Sequence, residues 1–296
     1  MQSMNVRRTG LCNQNWPGFY FTYRMQRHKP EGVKTNLHAY LMEAAGLAGF
    51  VITAGLIVIF LEHPSLPVMQ GKLSQHLAIR RVILGIAMGL YIMGATLLIG
   101  KRSGAHMNPA VTLAFYGLGK MHAAPAAGYI VAQFIGASCG ALLLLYATHG
   151  LFAHPVINYA MTEPQVPHGM LTAFTAESII SFINMFLVLA TTSSKRFEKW
   201  SPVVAGICIA SFIAFELPFS GMSMNPARSF AASLAANKWK HIWIYCVAPV
   251  AFMLLAAEVF VRWKEKRSLL NGAKKERIVE KEEDYKSIPD YPIRAA

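Results

Sequence analysis

The chain has 296 residues, 54% of them hydrophobic and only 15% charged, with a mean hydropathy of +0.36 and a formal net charge of +13. A soluble domain carries about 25% charged residues, so this composition argues against a soluble enzyme or binding module and for a membrane protein. The positive excess does not indicate nucleic acid. It is concentrated in two blocks that flank the apolar body, six Lys/Arg in residues 1–36 and ten in 262–296, the latter mixed with seven Asp/Glu. Topology and anionic lipid account for such flanks better than DNA does.

Residues 1–36 read as a polar, basic, cytoplasmic arm, with no apolar core that would make a cleavable signal peptide. The first apolar span covers 38–61 and is interrupted only by Glu43. A Pro-containing loop follows, then a second span over 80–100, opened by Arg80 and Arg81. The third span is 124–148, and the loop 149–168 holds three prolines and no Lys/Arg. The fourth span, 169–192, contains Glu177; the fifth is 202–217 and the sixth 241–262. The tail from Arg262 is highly charged and expected to be partly disordered. The domain reading is an arm at 1–36, a body at 37–263 built from repeats at about 37–150 and 167–263, and a tail at 264–296.

The repeat shows in two segments. Residues 103–114 read Ser-Gly-Ala-His-Met-Asn-Pro-Ala-Val-Thr-Leu-Ala, and 220–231 read Ser-Gly-Met-Ser-Met-Asn-Pro-Ala-Arg-Ser-Phe-Ala, with their asparagines 117 positions apart. Asn is a strong N-cap and Pro suits the first helical position. Asn108-Pro109-Ala110 and Asn225-Pro226-Ala227 therefore each predict a short helix, from Pro109 to about Gly117 and from Pro226 to about Ala236. Neither is long enough to span a bilayer.

Lys/Arg are rich in the arm, the Lys101-Arg102 loop, the 193–200 link and the tail, which puts both termini on the cytoplasmic side of the cell membrane. Three spans per half is an odd number, so the halves insert with opposite orientation. Two half-helices then meet end to end near the midplane, an inverted-repeat layout. Non-helical backbone at that depth is tolerated only in a protein interior or along a water-filled cavity. The repeat thus predicts a path across the membrane.

On these residues the sequence resembles the aquaporin, or major intrinsic protein, family. The carriers are the segments 103–112 and 221–230, supported by Glu43, Ala132-Gln133 and Glu177. The resemblance covers about 38–263. It implies an all-α membrane protein of six transmembrane helices plus two re-entrant half-helices, with one pore per subunit of a homotetramer. It also implies that the Asn108 and Asn225 amides donate to a passing water, with backbone carbonyls of about 104–107 and 221–224 as acceptors. Arg228, following the second motif where Val111 follows the first, is implied to be the arginine of an outer constriction. The other constriction positions fall by offset on Met88, Ile213 and Met222. This filter departs from the water-specific pattern, which has an aromatic and a histidine where Met88 and Ile213 stand. It also departs from the glycerol pattern, which has two aromatics in the filter and an Asp where Ser229 stands.

The reading is a passive channel for water and small neutral solutes such as glycerol, ammonia or dissolved gases, excluding protons and ions. The alternatives are an aquaglyceroporin-type facilitator, a proton- or ion-coupled transporter built on Glu43 and Glu177, and a membrane scaffold occluded by Met88, Ile213 and Met222. Glu43 and Glu177 are read as supports of the re-entrant backbones, and Gln133 as structural. His106 is read as lining the inner vestibule or making a structural hydrogen bond, and Tyr245 and Trp243 as interface or packing aromatics. Cys12, Cys139, Cys208 and Cys246 have no CxxC or metal spacing. No metal, cofactor or catalytic constellation is expected.

Overall fold

The computed structural model describes residues 37–165 and 167–286; the arm expected at 1–36 and the end of the tail, 287–296, lie outside the described residues. The described part contains only helices: α1 (Leu37–Glu62), α2 (Leu77–Ser103), α3 (Pro109–Gly117), α4 (Ala123–Ala147), α5 (Gly169–Thr192), α6 (Ser201–Phe215), α7 (Pro226–Ala236) and α8 (Ile242–Lys286), joined by loops and single helical turns. Six of these, α1, α2, α4, α5, α6 and α8, are long and apolar enough to cross a membrane. The two Asn-Pro-Ala helices, α3 and α7, have 9 and 11 residues and end where the sequence indicated.

The sixth helix departs from expectation. It does not stop at Arg262 but runs on as one helix to Lys286, so the tail through that residue is helical rather than disordered. The physical reason is composition. The segment is rich in Lys, Glu and Arg, which favour helix, and a pair of opposite charges at i,i+4 stands at each of its two ends. One such pair is Glu258 with Arg262, 2.7 Å apart.

Small residues set the helix spacing, as expected where lipid tails leave little hydrophobic force between helices. A Cβ on Gly89 of α2 would meet the Gly206 carbonyl oxygen of α6 at 2.5 Å, and one on Gly206 would meet the Gly89 oxygen at 2.7 Å. Gly140 of α4 stands equally close to the Ala48 backbone of α1. The loop between α1 and α2 is held by Arg80, whose Nε and Nη2 donate to Glu62 Oε1 and Oε2 at 2.9 and 3.0 Å. Its Nη1 donates to the Leu73 and Ser74 carbonyls. Arg80 is 6% exposed, so it closes the loop rather than marking the start of a span. Large apolar side chains such as Leu56, Leu98, Leu143 and Leu171 remain on the surface. That is the pattern of a bundle whose outer face meets lipid or another subunit.

Candidate functional site

The site begins at the end of α2. Gly104 takes φ +87 and Gly221 takes φ +83, each turning the chain inward after a helix or a single turn. Ala105 and Met107 then sit at φ +49 and +44, and Met222 and Met224 at +51 and +53. A non-glycine residue in the left-handed region costs on the order of 1 kcal/mol or more and persists only when its surroundings hold it. Four such residues at matched positions mean that each loop is clamped.

The clamps are the two buried glutamates. Glu43 Oε1 accepts from the His106 amide at 3.0 Å, and its Oε2 accepts from the Met107 amide at 2.5 Å and from Gln133 Nε2 at 2.8 Å. Glu177 does the same in the other half, accepting from the Ser223 amide at 2.6 Å, the Met224 amide at 2.7 Å and Ser220 Oγ at 2.8 Å. Both glutamates are 0% exposed. A buried carboxylate is tolerated when it accepts several hydrogen bonds.

A second matched set lies above each clamp. Ser103 Oγ accepts from the Ala105 amide and Ser220 Oγ from the Met222 amide, both at 3.0 Å. Tyr129 Oη donates to the Ser103 carbonyl at 2.7 Å, and Tyr245 Oη to the Ser220 carbonyl at 2.5 Å. Tyr245 is therefore not an interface aromatic: it is 1% exposed and ties a loop. Trp243 is half-exposed and stacks on Phe174, in line with packing.

The helix caps form as the sequence indicated. Asn108 Oδ1 accepts from the Ala110 amide at 2.9 Å. Asn225 Oδ1 accepts from the Ala227 and Arg228 amides at 3.1 and 3.3 Å. What sequence reasoning missed is the reciprocal tie. Asn108 Nδ2 donates to the Met224 carbonyl at 2.7 Å, and Asn225 Nδ2 to the Met107 carbonyl at 2.8 Å. The N-termini of α3 and α7 are thus fastened directly to one another. Each side-chain amide has two N–H groups, so one remains on each asparagine. Pro109, Ala110, Pro226 and Ala227 are buried directly behind the tie.

A cavity of about 150 Å³ reaches this junction. It is lined by both asparagines, by the loop residues Gly104, Ala105 and His106, and by Met222, Ser223 and Met224. The carbonyls of Gly104, Ala105, His106, Met222 and Ser223 accept no hydrogen bond among the described residues. His106 lines the cavity, its Nδ1 lies 3.1 Å from Thr112 Oγ1, and its ring stacks on Phe115 with centroids 4.8 Å apart. Gln133 Nε2 bridges Glu43 to Thr112 Oγ1 at 3.1 Å, the structural role expected.

Met88, Ile213 and Met222, offered as constriction positions, come together in one apolar cluster and are 1%, 5% and 5% exposed. Arg228 lines a separate space of about 10 Å³ with Val51, Ala54 and the loop residues Tyr159 and Ala160. Ala54 also packs on the cluster that contains Met88 and Ile213. Arg228 Nη1 is buried and has no acceptor among the described residues. Ser229 bonds the loop before α5 instead, its Oγ lying 2.7 Å from Thr162 Oγ1. Sequence reasoning also missed Glu216, 7% exposed beside Ser220 and Glu177, with neither oxygen bonded among the described residues. No group of three or more His, Cys, Asp or Glu residues that could hold a metal occurs among the described residues.

This geometry agrees with the comparisons to known proteins. The family model described as "Major intrinsic protein" matches residues 37–260. Human Aquaporin-4 is 33% identical over 195 residues, covering 64% of this chain and 58% of that protein's own length. Aquaporin NIP2-1 of Oryza sativa subsp. japonica is 33% identical over 219 residues, covering 72% of this chain and 70% of its own. The crystal structure of the aquaglyceroporin from Plasmodium falciparum superposes with a TM-score of 0.62 at 22% identity, covering 76% of this chain and 95% of that one. The last likeness speaks to fold alone. From the matched loops, the joined half-helices and the family model, the chain belongs to the major intrinsic protein family, the aquaporin channels of membranes.

Proposed function

We propose that the chain is a passive, multi-pass channel of the cell membrane that conducts water and small neutral solutes and excludes protons and ions. The observation that carries this reading is the junction of the two half-helices at the end of the cavity. Each helix N-terminus acts as about half a positive elementary charge. Two of them meeting there oppose cations, while the free N–H groups of Asn108 and Asn225 and the unbonded loop carbonyls hold water in a fixed orientation. Both termini are assigned to the cytoplasmic side and the unit to a homotetramer, from the charge pattern and the family.

Solute choice is assigned to Met88, Ile213, Met222 and Arg228. Three apolar walls and one guanidinium with an unused donor favour a small solute that brings its own oxygen. A charged solute would lose hydration against the methionines with no compensating partner. The coupled-transporter alternative draws no support from Glu43 and Glu177, since their oxygens bond loop amides. The tight packing of Met88 with Ile213 and Met222 does favour a second reading, a pore closed or gated at that level.

Proteoliposomes carrying the purified protein separate these readings by stopped-flow light scattering with water, glycerol and ammonia. Permeability well above that of empty vesicles, indifferent to ion and proton gradients, is expected; a rate equal to empty vesicles would establish the closed pore, and gradient-driven accumulation a coupled transporter. Within that assay Arg228→Ala removes the one cation assigned to the constriction. It is expected to raise the permeability of glycerol relative to water several-fold and to admit larger or charged solutes. Unchanged permeability to every solute tested would remove Arg228 from the filter. Ile213→His places a donor opposite Met88 and is expected to lower the glycerol-to-water ratio. An unaltered ratio in a folded variant would refute that assignment.

A further inference from the structure

The described residues hold a larger cavity than the one at the Asn-Pro-Ala junction. It is about 780 Å³ in volume and opens at the end of the bundle where α5 finishes and α8 leaves the membrane-spanning region. That volume is in the range of small-molecule sites. One wall is a single stripe of α8, where Phe260, Lys264 and Ser268 recur at i+4 with Val261 beside them. Along this stripe the helix changes from apolar to cationic over two turns. Leu118 and Lys120, just after α3, form the facing wall, and Leu189 and Ser193 at the end of α5 close the side.

The depth of this cavity is marked by aromatic residues. Trp263 is half-exposed and packs on Phe186 and Phe260, with centroids 6.1 and 5.8 Å away. Tryptophan concentrates where hydrocarbon meets headgroups. Two neighbouring cations of α8 are occupied: Arg262 pairs with Glu258 at 2.7 Å, and Arg267 stands over the Trp263 ring at 5.4 Å. Glu265, which also lines the cavity, is already engaged by another group. Lys120 and Lys264 have no ion-pair partner among the described residues. Two unpaired cations therefore face a cavity whose floor is apolar and which sits at headgroup level.

We propose that this cavity is a binding site for an anionic phospholipid, with its phosphate between Lys120 and Lys264 and its acyl chain along Phe260, Val261 and Leu189. Charge complementarity identifies the headgroup, and the apolar floor selects a lipid over a soluble phosphate. Phe115 and Thr192 line both this cavity and the one at the Asn-Pro-Ala junction. A bound lipid would thus press on residues that also shape the pore mouth.

The test is native mass spectrometry of the full-length protein in detergent, titrated separately with phosphatidylglycerol, phosphatidylcholine and soluble glycerol phosphate. The wild-type protein is expected to retain phosphatidylglycerol at least tenfold more than phosphatidylcholine, with no competition from glycerol phosphate. The double variant Lys120→Gln/Lys264→Gln is expected to lose that preference, and Lys120→Arg/Lys264→Arg to keep it. Lys195→Gln/Lys199→Gln, which removes charge outside the cavity, is expected to keep it too. Retention by the first variant, or equal loss in the first and the last, would overturn the site. Full displacement by glycerol phosphate would make it a phosphate site and overturn the assignment to lipid.

Discussion

Glu177→Ala is expected to abolish the folded channel or cut its water permeability more than tenfold, with Glu43→Ala close behind. Glu177 accepts from the Ser223 and Met224 amides and from Ser220 Oγ at 2.6 to 2.8 Å. Alanine leaves all three donors buried and unpaired. Each orphaned donor costs about 1–3 kcal/mol, and the native state is stable by only about 5–15 kcal/mol. Met222 and Met224 would also lose what holds them at positive φ. Glu177→Gln is the discriminating control. Its amide keeps one acceptor oxygen but offers donors where the carboxylate offered a second acceptor, so it is expected to fall between wild type and alanine. Fluorescence-detected size exclusion reads folding, and vesicle shrinkage reads permeability. A well-folded, fully permeable Glu177→Ala protein would show that the loop does not depend on the clamp.

The parts of this architecture legible in the sequence are those decided by local chemistry. Asn suits the N-cap and Pro the first helical position, so both half-helices fell at their observed limits. Apolar length located the six spans in the same way. The carboxylate supports could be named because a Glu inside an apolar span must find donors, although which amides it meets is a tertiary fact. Other features depend on tertiary contacts. The tie from Asn108 to Met224 and from Asn225 to Met107 leaves no local trace, since the same asparagines already have a local role as caps. Tyr129 and Tyr245 look like ordinary span aromatics until their hydroxyls are seen on the Ser103 and Ser220 carbonyls. The tail was misread because high charge suggests disorder, while its helix-favouring residues simply continue a helix that the membrane has already nucleated.

The repeated clamp also explains why two loops with different sequences take the same shape. Ala105 and Met222 differ, as do His106 and Ser223, yet the two loops share positive φ at matched steps, Ala105 with Met222 and Met107 with Met224. The constant elements are a glycine turn, a serine hydroxyl, a tyrosine and a glutamate in each half. The residues free to differ are those whose side chains face the cavity or the constriction. Conducting properties can therefore change without disturbing the support.

If the joined helix ends exclude cations as proposed, Asn225→Asp is expected to make the pore leak them. The carboxylate keeps the cap, because an oxygen still accepts from the Ala227 and Arg228 amides. It loses the N–H that reaches the Met107 carbonyl at 2.8 Å and sets two oxygens facing each other there. The two half-helix ends together supply about one positive elementary charge, and a single ionised carboxylate cancels it. The barrier to cations would fall, with the proton or sodium conductance of planar bilayers rising at least tenfold over wild type. Water permeability should fall, because the broken tie lets α3 and α7 separate. Asn225→Ala isolates the two effects: it breaks the same tie without adding charge, so it should lose water permeability and gain much less conductance. Equal conductance in the two variants would mean that the tie, and not the field of the joined helix ends, keeps ions out.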